Sequence, residues 1–531
     1  MTQGKVFPSK ALLQLPLFQD DGSTEQYSTK QQIERSYARA TLVARAYEFT
    51  LDDVLQMNGK LWDLHADPIS SIDAATTTIL TIHYNLALGT LGPILATRPD
   101  LAPLIQKLLK FEIIGQFMLT EVEHGLDARQ IETTATLLPD GSLELNTPHP
   151  GAAKYMPPVT TISGIPTIGV VFSRLIVDGK FHGIRPVVVS LTDGKGMCKG
   201  VSSRMVPPRS GSKPLDHSMT SFDHVRLPPG SVIGSLEEST DVRGDFLKSI
   251  WRISTGGLAL SLGTVSFLSV GVYIAGKYSL RRTDSERNSS QFFMDWHKYT
   301  FCKRSRNSPF RYSETGTFIY CARADMRGVC IAEGDILAIS IRLISELLQG
   351  KYCLPEPKYP DCLLYKHEQG LWKEARDRYS KLSGTHRSEE FNNAILPLCR
   401  PLAEFIGHRM AYEAAVDQGV DPALVELYEA GVIKLDSSWY VENGLLSRAE
   451  QFDLESVAAN KVLPDLERFL DLLDVAEYAT APILSGKSWN EFVVSLPQFL
   501  GISEPLEELR GDSPKPTSMS ETVYKKILFW R

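Results

Sequence analysis

The sequence predicts an α+β protein of several domains: an N-terminal helical domain, a middle antiparallel β domain, and a C-terminal helical bundle followed by a second C-terminal helical domain. Apolar residues recur every three or four positions before residue 115 and again after residue 235, which indicates helices. Between these regions, β-branched runs alternate with turn residues. A chain of 531 residues is also too long for one core. The predicted domains are residues 1–115, 116–235, 236–350 and 351–531.

Composition and charge narrow the classes of partner and site. The chain has a net charge of -7, is 43% hydrophobic and 22% charged, and contains no long basic run. This balance argues against nucleic acid or an anionic membrane surface as the main partner. The seven cysteines are odd in number and form no Cys-x-x-Cys pair, which indicates reduced thiols in an intracellular protein and no zinc site.

Three N-terminal segments have helical patterns. Ser28 and Gln31 form a capping-box pattern ahead of an amphipathic segment that runs to Leu51. Residues Ile72 to Leu95 and Leu101 to Phe117 are predicted to form two further helices, separated by proline-containing turns.

The middle region carries strong hairpin signals. Asp140-Gly141 and Asp178-Gly179 each separate two strand-like runs, and Asp-Gly is a preferred two-residue hairpin turn. Turn signals at this spacing predict a small antiparallel β domain.

One apolar segment is long enough to resemble a membrane span. Residues Leu258 to Gly276 are nineteen consecutive uncharged residues. They include many glycines, serines and threonines, which favour a helix packed closely against others in a bundle. We therefore predict a buried helix, and a second apolar helix over Ile336 to Leu348.

The segment that joins the helical and strand-like regions carries the most specific motif. Phe117 to Glu121, then His124-Gly125, then Glu132 to Thr136 read as a helix running through a polar turn into a hairpin. An ordinary structural corner would have the same pattern. These residues also resemble the middle-domain entry of acyl-CoA oxidases, which belong to the wider acyl-CoA dehydrogenase family. The resemblance implies an FAD cofactor with Thr120 at the polar edge of the flavin, and with Phe117, Leu119 and Gly125 lining the same pocket.

Two further segments resemble cofactor-binding motifs of that family. Lys154-Tyr155-Met156-Pro157-Pro158 occupies the place of a Lys-Trp-Trp-Pro-Gly stretch beside the flavin, which implies that Tyr155 contributes to the site. Tyr278 to Arg282 resembles a motif whose arginine reaches the FAD diphosphate of a neighbouring subunit. By this resemblance Arg281 binds FAD, and the protein is a homodimer. His124, His217 and His224 are predicted to be hydrogen-bonded structural histidines.

Oxidation of a saturated acyl thioester needs a base for the α proton and a cofactor that accepts the hydride. Glu333, followed by Gly334 and a very apolar helix, is a carboxylate in surroundings that raise its basicity. An acid that only complements a helix N-terminus has the same pattern, and Asp335 fits that capping role. The segment Arg327 to Ile336 resembles the catalytic-base segment of the family, which implies that Glu333 is the base.

The resemblance implies FAD-dependent conversion of an acyl-CoA to the 2,3-enoyl-CoA, with oxygen as electron acceptor and hydrogen peroxide as product. Two alternatives stay open. A dehydrogenase would use another electron acceptor, although residues Leu424 to Ser447 resemble the extra C-terminal domain that simple dehydrogenases lack. A non-catalytic, FAD-free relative acting as a partner subunit is favoured by the short connection at 283–332, where relatives carry longer helices. A peroxisomal or cytoplasmic location is expected; the last residues, Phe529-Trp530-Arg531, are not a Ser-Lys-Leu type signal.

Overall fold

A computed structural model describes residues 6–19, 27–125, 127–209, 212–281, 336–384, 388–495 and 498. It contains N-terminal helices, a middle β region of two sheets, and C-terminal helices, so the predicted fold class is confirmed. The domain boundaries stay predictions.

The N-terminal helices form one side of the main core. Helix α1 begins after the predicted capping box. The Gln31 amide donates to the Ser28 hydroxyl oxygen, and the Ser28 amide donates to the Gln31 side-chain oxygen. Its Ile33, Ala40 and Val43 are fully buried. The α-helices of this region are α1 (Thr29–Tyr47), α2 (Leu51–Leu55), α3 (Gly59–Ala66), α4 (Ile69–Ile72), α5 (Ala74–Leu80), α6 (Gly89–Leu91) and α7 (Ala102–Leu109).

The helix predicted over Ile72 to Leu95 is present but irregular. A π-helix, Thr81–Leu88, joins α5 to α6, and a 3₁₀ turn, Gly92–Ala96, ends the segment. The segment Ala74–Ala96 has the length and composition of a helix that could cross a membrane. However, 67% of its most apolar stretch of 18 residues is buried inside the protein.

The helix predicted to run to Phe117 ends much earlier. Helix α7 stops at Leu109, and Ile114–Met118 forms strand β1. All five residues of β1 are buried. A short run buried on both faces has no polar alternation, so periodicity alone cannot separate a strand from a buried helix. The prediction of helix for 110–117 was therefore wrong.

The larger sheet has six strands in the order β1-β5-β2-β3-β9, with β6 on the other edge of β5. Both predicted Asp-Gly hairpins are present, as β2–β3 and β5–β6. The expectation of a wholly antiparallel domain fails at two pairings, because β1 and β2 both run parallel to β5. These strands are β1, β2 (Thr134–Leu137), β3 (Leu143–Asn146), β5 (Thr167–Val177), β6 (Lys180–Thr192) and β9 (Val225–Leu227).

The parallel pairings determine the position of the polar loop 119–133, which is called the corner below. Strand β1 pairs with Thr167 to Val171 and β2 with Arg174 to Ile176, so both lie end to end along one edge of β5. Residues 119–133 are the connection between them. The corner is thus a loop whose two ends are attached to the same strand.

A smaller, three-stranded antiparallel sheet has the order β4-β8-β7. Its strands are β4 (Lys154–Pro158), β7 (Val201–Met205) and β8 (His217–Phe222). Helix α1 is attached to this region because Asp216, just before β8, accepts hydrogen bonds from the hydroxyls of Tyr37 (2.9 Å) and Thr160 (2.5 Å).

After the β region the chain forms α8 (Val242–Ser249) and α9 (Arg252–Arg281). The predicted long helix is confirmed, but its burial is one-sided. Val270 and Ile274 are fully buried, whereas Leu258 is 65% and Val265 58% exposed. Val242–Leu280 also has the length and composition of a membrane-spanning helix, and 39% of its most apolar stretch of 18 residues is buried.

The C-terminal part is helical, as predicted. Within this part, the fully buried guanidinium of Arg409 donates hydrogen bonds to the carboxylates of Glu368 and Glu413, at 2.8 Å each. Its α-helices are α10 (Ile336–Leu348), α11 (Leu363–Tyr379), α12 (Glu389–Asp417), α13 (Pro422–Ile433), α14 (Ser437–Glu442), α15 (Arg448–Val462), α16 (Leu466–Asp471) and α17 (Gly486–Ser495).

One buried carboxylate joins the two ends of the described chain. Asp67 accepts hydrogen bonds from the hydroxyls of Ser9 (2.7 Å) and Tyr47 (2.8 Å) and from the Ile69 amide (2.9 Å). The hydroxyl of Tyr478, in the C-terminal part, lies 3.4 Å from that of Ser9. The N-terminal segment, the first helices and the C-terminal helices therefore share one polar contact inside the core.

Candidate active site

The corner begins where β1 ends, with two apolar side chains on the same side of the chain. Phe117 and Leu119 are each 7% exposed, and the Phe117 ring packs against that of Phe172 at a centroid distance of 4.9 Å. The next residue, Thr120, is half-buried. Phe117 and Leu119 thus belong to the core, and Thr120 is the first partly exposed residue after β1.

A buried ion pair fixes the corner. The Glu121 carboxylate and the Lys154 ammonium are both fully buried and lie 2.9 Å apart. The ammonium also donates to the Leu119 carbonyl at 3.2 Å, and the carboxylate accepts the backbone N–H groups of Glu132 (2.7 Å) and Thr133 (3.0 Å). Three segments of the chain are thus joined by two side chains.

Burial lowers the pKa of Lys154 to about 8, although the neighbouring Glu121 opposes this shift. A buried charge without its partner is strongly unfavourable. The corner therefore depends on both members of the pair.

Backbone hydrogen bonds align the corner with the segment that leads into β4. The Tyr155 amide donates to the Thr120 carbonyl at 2.9 Å, and the Glu123 amide donates to the Gly151 carbonyl at 3.0 Å. A Cβ atom at Gly151 would lie 2.2 Å from the carboxyl carbon of the exposed Glu123 side chain, which would have to move to accommodate it. Tyr155 and Thr120, predicted from separate motifs, are brought together.

The Thr120 hydroxyl has no hydrogen-bond partner within the described part of the chain, while its own carbonyl is already used. A free, half-buried hydroxyl suits the polar edge of a heterocycle, since it can still donate or accept a hydrogen bond. The residues of the corner therefore fit the isoalloxazine edge of FAD.

Beside the corner lies a bridge that sequence reasoning missed. The Glu132 carboxylate joins two imidazoles, with His124 Nε2 at 2.9 Å and His149 Nε2 at 3.0 Å. Hydrogen bonds from the histidines lower the pKa of Glu132, and the bond to Glu132 raises the pKa of His149. His124 and Glu132 lie in the motif that indicated this corner, but no sequence pattern connects them to His149.

All three histidines predicted to be structural do make polar contacts. Besides His124, the His217 Nδ1 lies 2.7 Å from the Met156 carbonyl oxygen, and the His224 Nδ1 lies 3.1 Å from a Glu144 carboxylate oxygen. No group of three or more His, Cys, Asp or Glu residues that could hold a metal occurs within the residues that the structure describes.

Strand β4 is distorted just after Tyr155. The register changes between Tyr155–Met219 and Pro158–His217, so β4 contains one extra residue there. Met156, inside this bulge, has a φ of 80°, which a side chain with a Cβ rarely adopts. Bulges redirect side chains, and strained backbone is concentrated at functional sites.

The other predicted site residues are placed as follows. Gly125 is exposed at the far end of the same turn. Arg281 is the last described residue of α9, and only its backbone is described. Glu333 lies outside the described residues, so its separation from Thr120 stays untested.

Sequence comparison gives a partial match to curated proteins. No family model matches the chain. It is 31% identical over 192 residues to human peroxisomal acyl-coenzyme A oxidase 3, which covers 34% of this chain and 27% of that relative. The aligned part is thus less than a third of the length of that relative.

Structural similarity extends over nearly the whole chain. Acyl-CoA oxidase 1 from Yarrowia lipolytica superposes with a TM-score of 0.70 at 15% identity, covering 99% of this chain and 92% of that one. Acyl-CoA oxidase 2 from Caenorhabditis elegans, solved with FAD, ascaroside-CoA and ATP, gives a TM-score of 0.66 at 14% identity, covering 98% and 92%. The chain therefore has the fold of these acyl-CoA oxidases and partial sequence similarity to curated acyl-CoA oxidases.

Proposed function

We propose that this protein is an FAD-dependent enzyme that oxidises an acyl-CoA to the 2,3-enoyl-CoA. The observation that carries the proposal is the corner at Thr120, where a half-buried hydroxyl has no hydrogen-bond partner in the described part of the chain. The loop that carries this hydroxyl is held by the buried Glu121–Lys154 pair. The partial sequence similarity and the shared fold with acyl-CoA oxidases support the same reaction.

The chemistry divides between the cofactor and the chain. FAD, when bound, supplies the acceptor for the β hydride, which amino-acid side chains cannot provide. Thr120 would hydrogen-bond the polar edge of the flavin, and Phe117, Leu119, Gly125 and Tyr155 would line its pocket. Glu333 would take the α proton from the acyl group, since a carboxylate beside an apolar helix is a stronger base than one in water.

The electron acceptor is proposed to be oxygen. Two electrons and two protons leave the acyl-CoA and convert one oxygen molecule to hydrogen peroxide. The described helices that follow residue 360, α11 to α17, support this choice because simple dehydrogenases of the family lack a second C-terminal domain. A dehydrogenase that uses another acceptor would produce no peroxide.

Partners and location follow from the same proposal. Arg281 would reach the FAD diphosphate of a second copy of the chain, which makes a homodimer the expected assembly. The name of the human relative includes a peroxisomal location, and we extend it here as a peroxisomal or other intracellular location.

The test is to purify the full chain and measure bound FAD, then add saturated acyl-CoA of several lengths and follow peroxide and enoyl-CoA. The proposal expects a yellow protein that forms both products in equal amounts. Enoyl-CoA formed only with an artificial acceptor would indicate the dehydrogenase. A protein that stays colourless with added FAD would instead be the non-catalytic relative.

A further inference from the structure

A basic segment lies next to the candidate site in a protein that is acidic overall. Between Asp193 and Asp216 the sequence contains no acidic residue, whereas the net charge of the whole chain is -7. The five cations of this stretch are Lys195, Lys199, Arg204, Arg209 and Lys213. This local excess of positive charge includes all of strand β7.

The strand register connects this segment to Tyr155. Arg204 of β7 pairs with Met219 of β8, and Met219 pairs with Tyr155 of β4. Directly paired residues project from the same face of a sheet. Because neighbouring strands lie about 4.8 Å apart, Arg204 is roughly 10 Å from Tyr155 across one continuous face.

This face is the outer one. The opposite face carries Val201 and Phe222, which are part of the core, and the fully buried Lys154 and Thr220. On the outer face, exposure increases outward from the corner: Tyr155 and Met219 are half-buried, and Arg204 is exposed.

Two arginines on this side have no partner for their charge. Within the described part of the chain, neither the Arg204 nor the Arg209 guanidinium makes an ion pair or a hydrogen bond. Burial lowers the pKa of His217, and the charge of the nearby Arg209 adds to this effect. His217 itself contacts the bulge at Met156. The arginines therefore present free positive charge along a path that leads to the corner.

A guanidinium suits phosphate because its donors match two phosphate oxygens at once. The proposed substrate is a thioester at one end and carries phosphate groups at the other. We propose that Arg204, on the outer face of the three-stranded sheet, and Arg209, in the segment that follows β7, bind the phosphate groups of the CoA part of the substrate. This inference rests on the proposed function and adds the location of the CoA phosphates.

The test is calorimetric binding to the flavin-loaded full chain, with CoA, 3′-dephospho-CoA and pantetheine as separate probes; FAD is the probe for the full chain from which the flavin has been removed. Arg204→Gln and Arg209→Gln should each weaken CoA binding roughly tenfold, as expected for loss of a charge-assisted hydrogen bond. Pantetheine binding should be unchanged, and salt should weaken CoA binding to the wild type more than to the variants. If only CoA responds and dephospho-CoA does not, the 3′-phosphate is the group bound.

Arg45→Gln is the matched control, because Arg45 is an exposed arginine on α1 with no ion pair among the described residues. Its CoA affinity should equal that of the wild type. Unchanged CoA affinity in both test variants, no CoA binding by the wild type, or a loss of FAD affinity in place of CoA affinity would each overturn the inference. The proposed function fails separately, through absence of flavin or of flavin reduction.

Discussion

Glu121 and Lys154 face each other without access to water, so each makes the burial of the other tolerable. Replacing Glu121 by Gln keeps the size of the side chain but leaves the Lys154 ammonium without a counter-charge. Removing one member of a buried pair typically costs about 3–5 kcal/mol. We expect Glu121→Gln to lower the unfolding midpoint in denaturant by a corresponding amount and to reduce the flavin that is retained on purification.

The double variant Glu121→Gln/Lys154→Met is the control for this pair, since it removes both charges and keeps most of the volume. Its stability should exceed that of Glu121→Gln alone, because no uncompensated charge stays buried. An equal or lower unfolding midpoint in the double variant would contradict the role assigned to the ion pair.

Asp67 gives a prediction about pH. Burial raises the pKa of Asp67 from 3.8 to about 6, and hydrogen bonds from Ser9, Ile69 and Tyr47 only partly oppose this. The folded protein therefore holds this proton more tightly than the unfolded chain does. Its contribution to stability is fully present below pH 3.8 and is lost as the pH rises through about 6, a change of about 3 kcal/mol.

Asp67→Asn removes this titration and keeps the shape of the side chain. The free energy of unfolding of both proteins is measured in urea across this pH range. As the pH rises, the value for the wild type should fall relative to that for the variant. A difference that is independent of pH would contradict the assignment of a raised pKa to Asp67.

At the scale of elements, β1 owes its position to close contact with the π-helix. The Gly115 amide donates to His83 Nδ1 at 2.9 Å, and a Cβ at Gly115 would lie 2.7 Å from the Ala87 Cβ. Gly115→Ala should therefore destabilise the protein by about 1–3 kcal/mol through overpacking, measured by denaturant unfolding. Because β1 leads directly into the corner, flavin affinity should fall as well.

Gly59→Ala is the matched control, since a Cβ there meets nothing within 4 Å and Gly59 begins helix α3. It should leave stability unchanged or slightly raise it, because alanine has the higher helix propensity. If both alanine variants behave alike, the contact between β1 and the π-helix does not limit stability.

Elements whose structure is decided locally were predictable from the sequence. Asp178 and Gly179 both have positive φ, 49° and 76°, as a two-residue hairpin turn requires, and the Asp-Gly pair indicates this directly. The capping box at Ser28 is equally local. Strand β1 was not predictable, because its state depends on pairing with Thr167 to Val171, about fifty residues later. The two parallel pairings escaped prediction for the same reason.

The same distinction applies to the candidate site. Thr120, Phe117 and Tyr155 could be proposed from the sequence because each lies in a short motif. Glu121 and Lys154 lie in those motifs too, but their pairing is a contact between residues 33 positions apart, which no local pattern indicates. His124 and Glu132 share one motif, yet their bridge depends on His149, 17 positions beyond Glu132.

At the scale of the whole molecule, the fold is retained with little sequence identity. The chain superposes on Yarrowia lipolytica acyl-CoA oxidase 1 over 99% of its length at 15% identity. Most positions therefore need only the right polarity and size. Glu121 and Lys154 differ from such positions, because each neutralises the buried charge of the other.

The central claim is that a flavin at the Thr120 corner accepts electrons from an acyl-CoA whose α proton is removed by Glu333. The most direct measurement is the absorbance of bound flavin after anaerobic addition of acyl-CoA to the wild type and to Glu333→Gln. The account predicts rapid bleaching in the wild type, and in the variant the same amount of bound FAD without bleaching. Bleaching of Glu333→Gln by the substrate, or a wild type that binds no FAD, would contradict it.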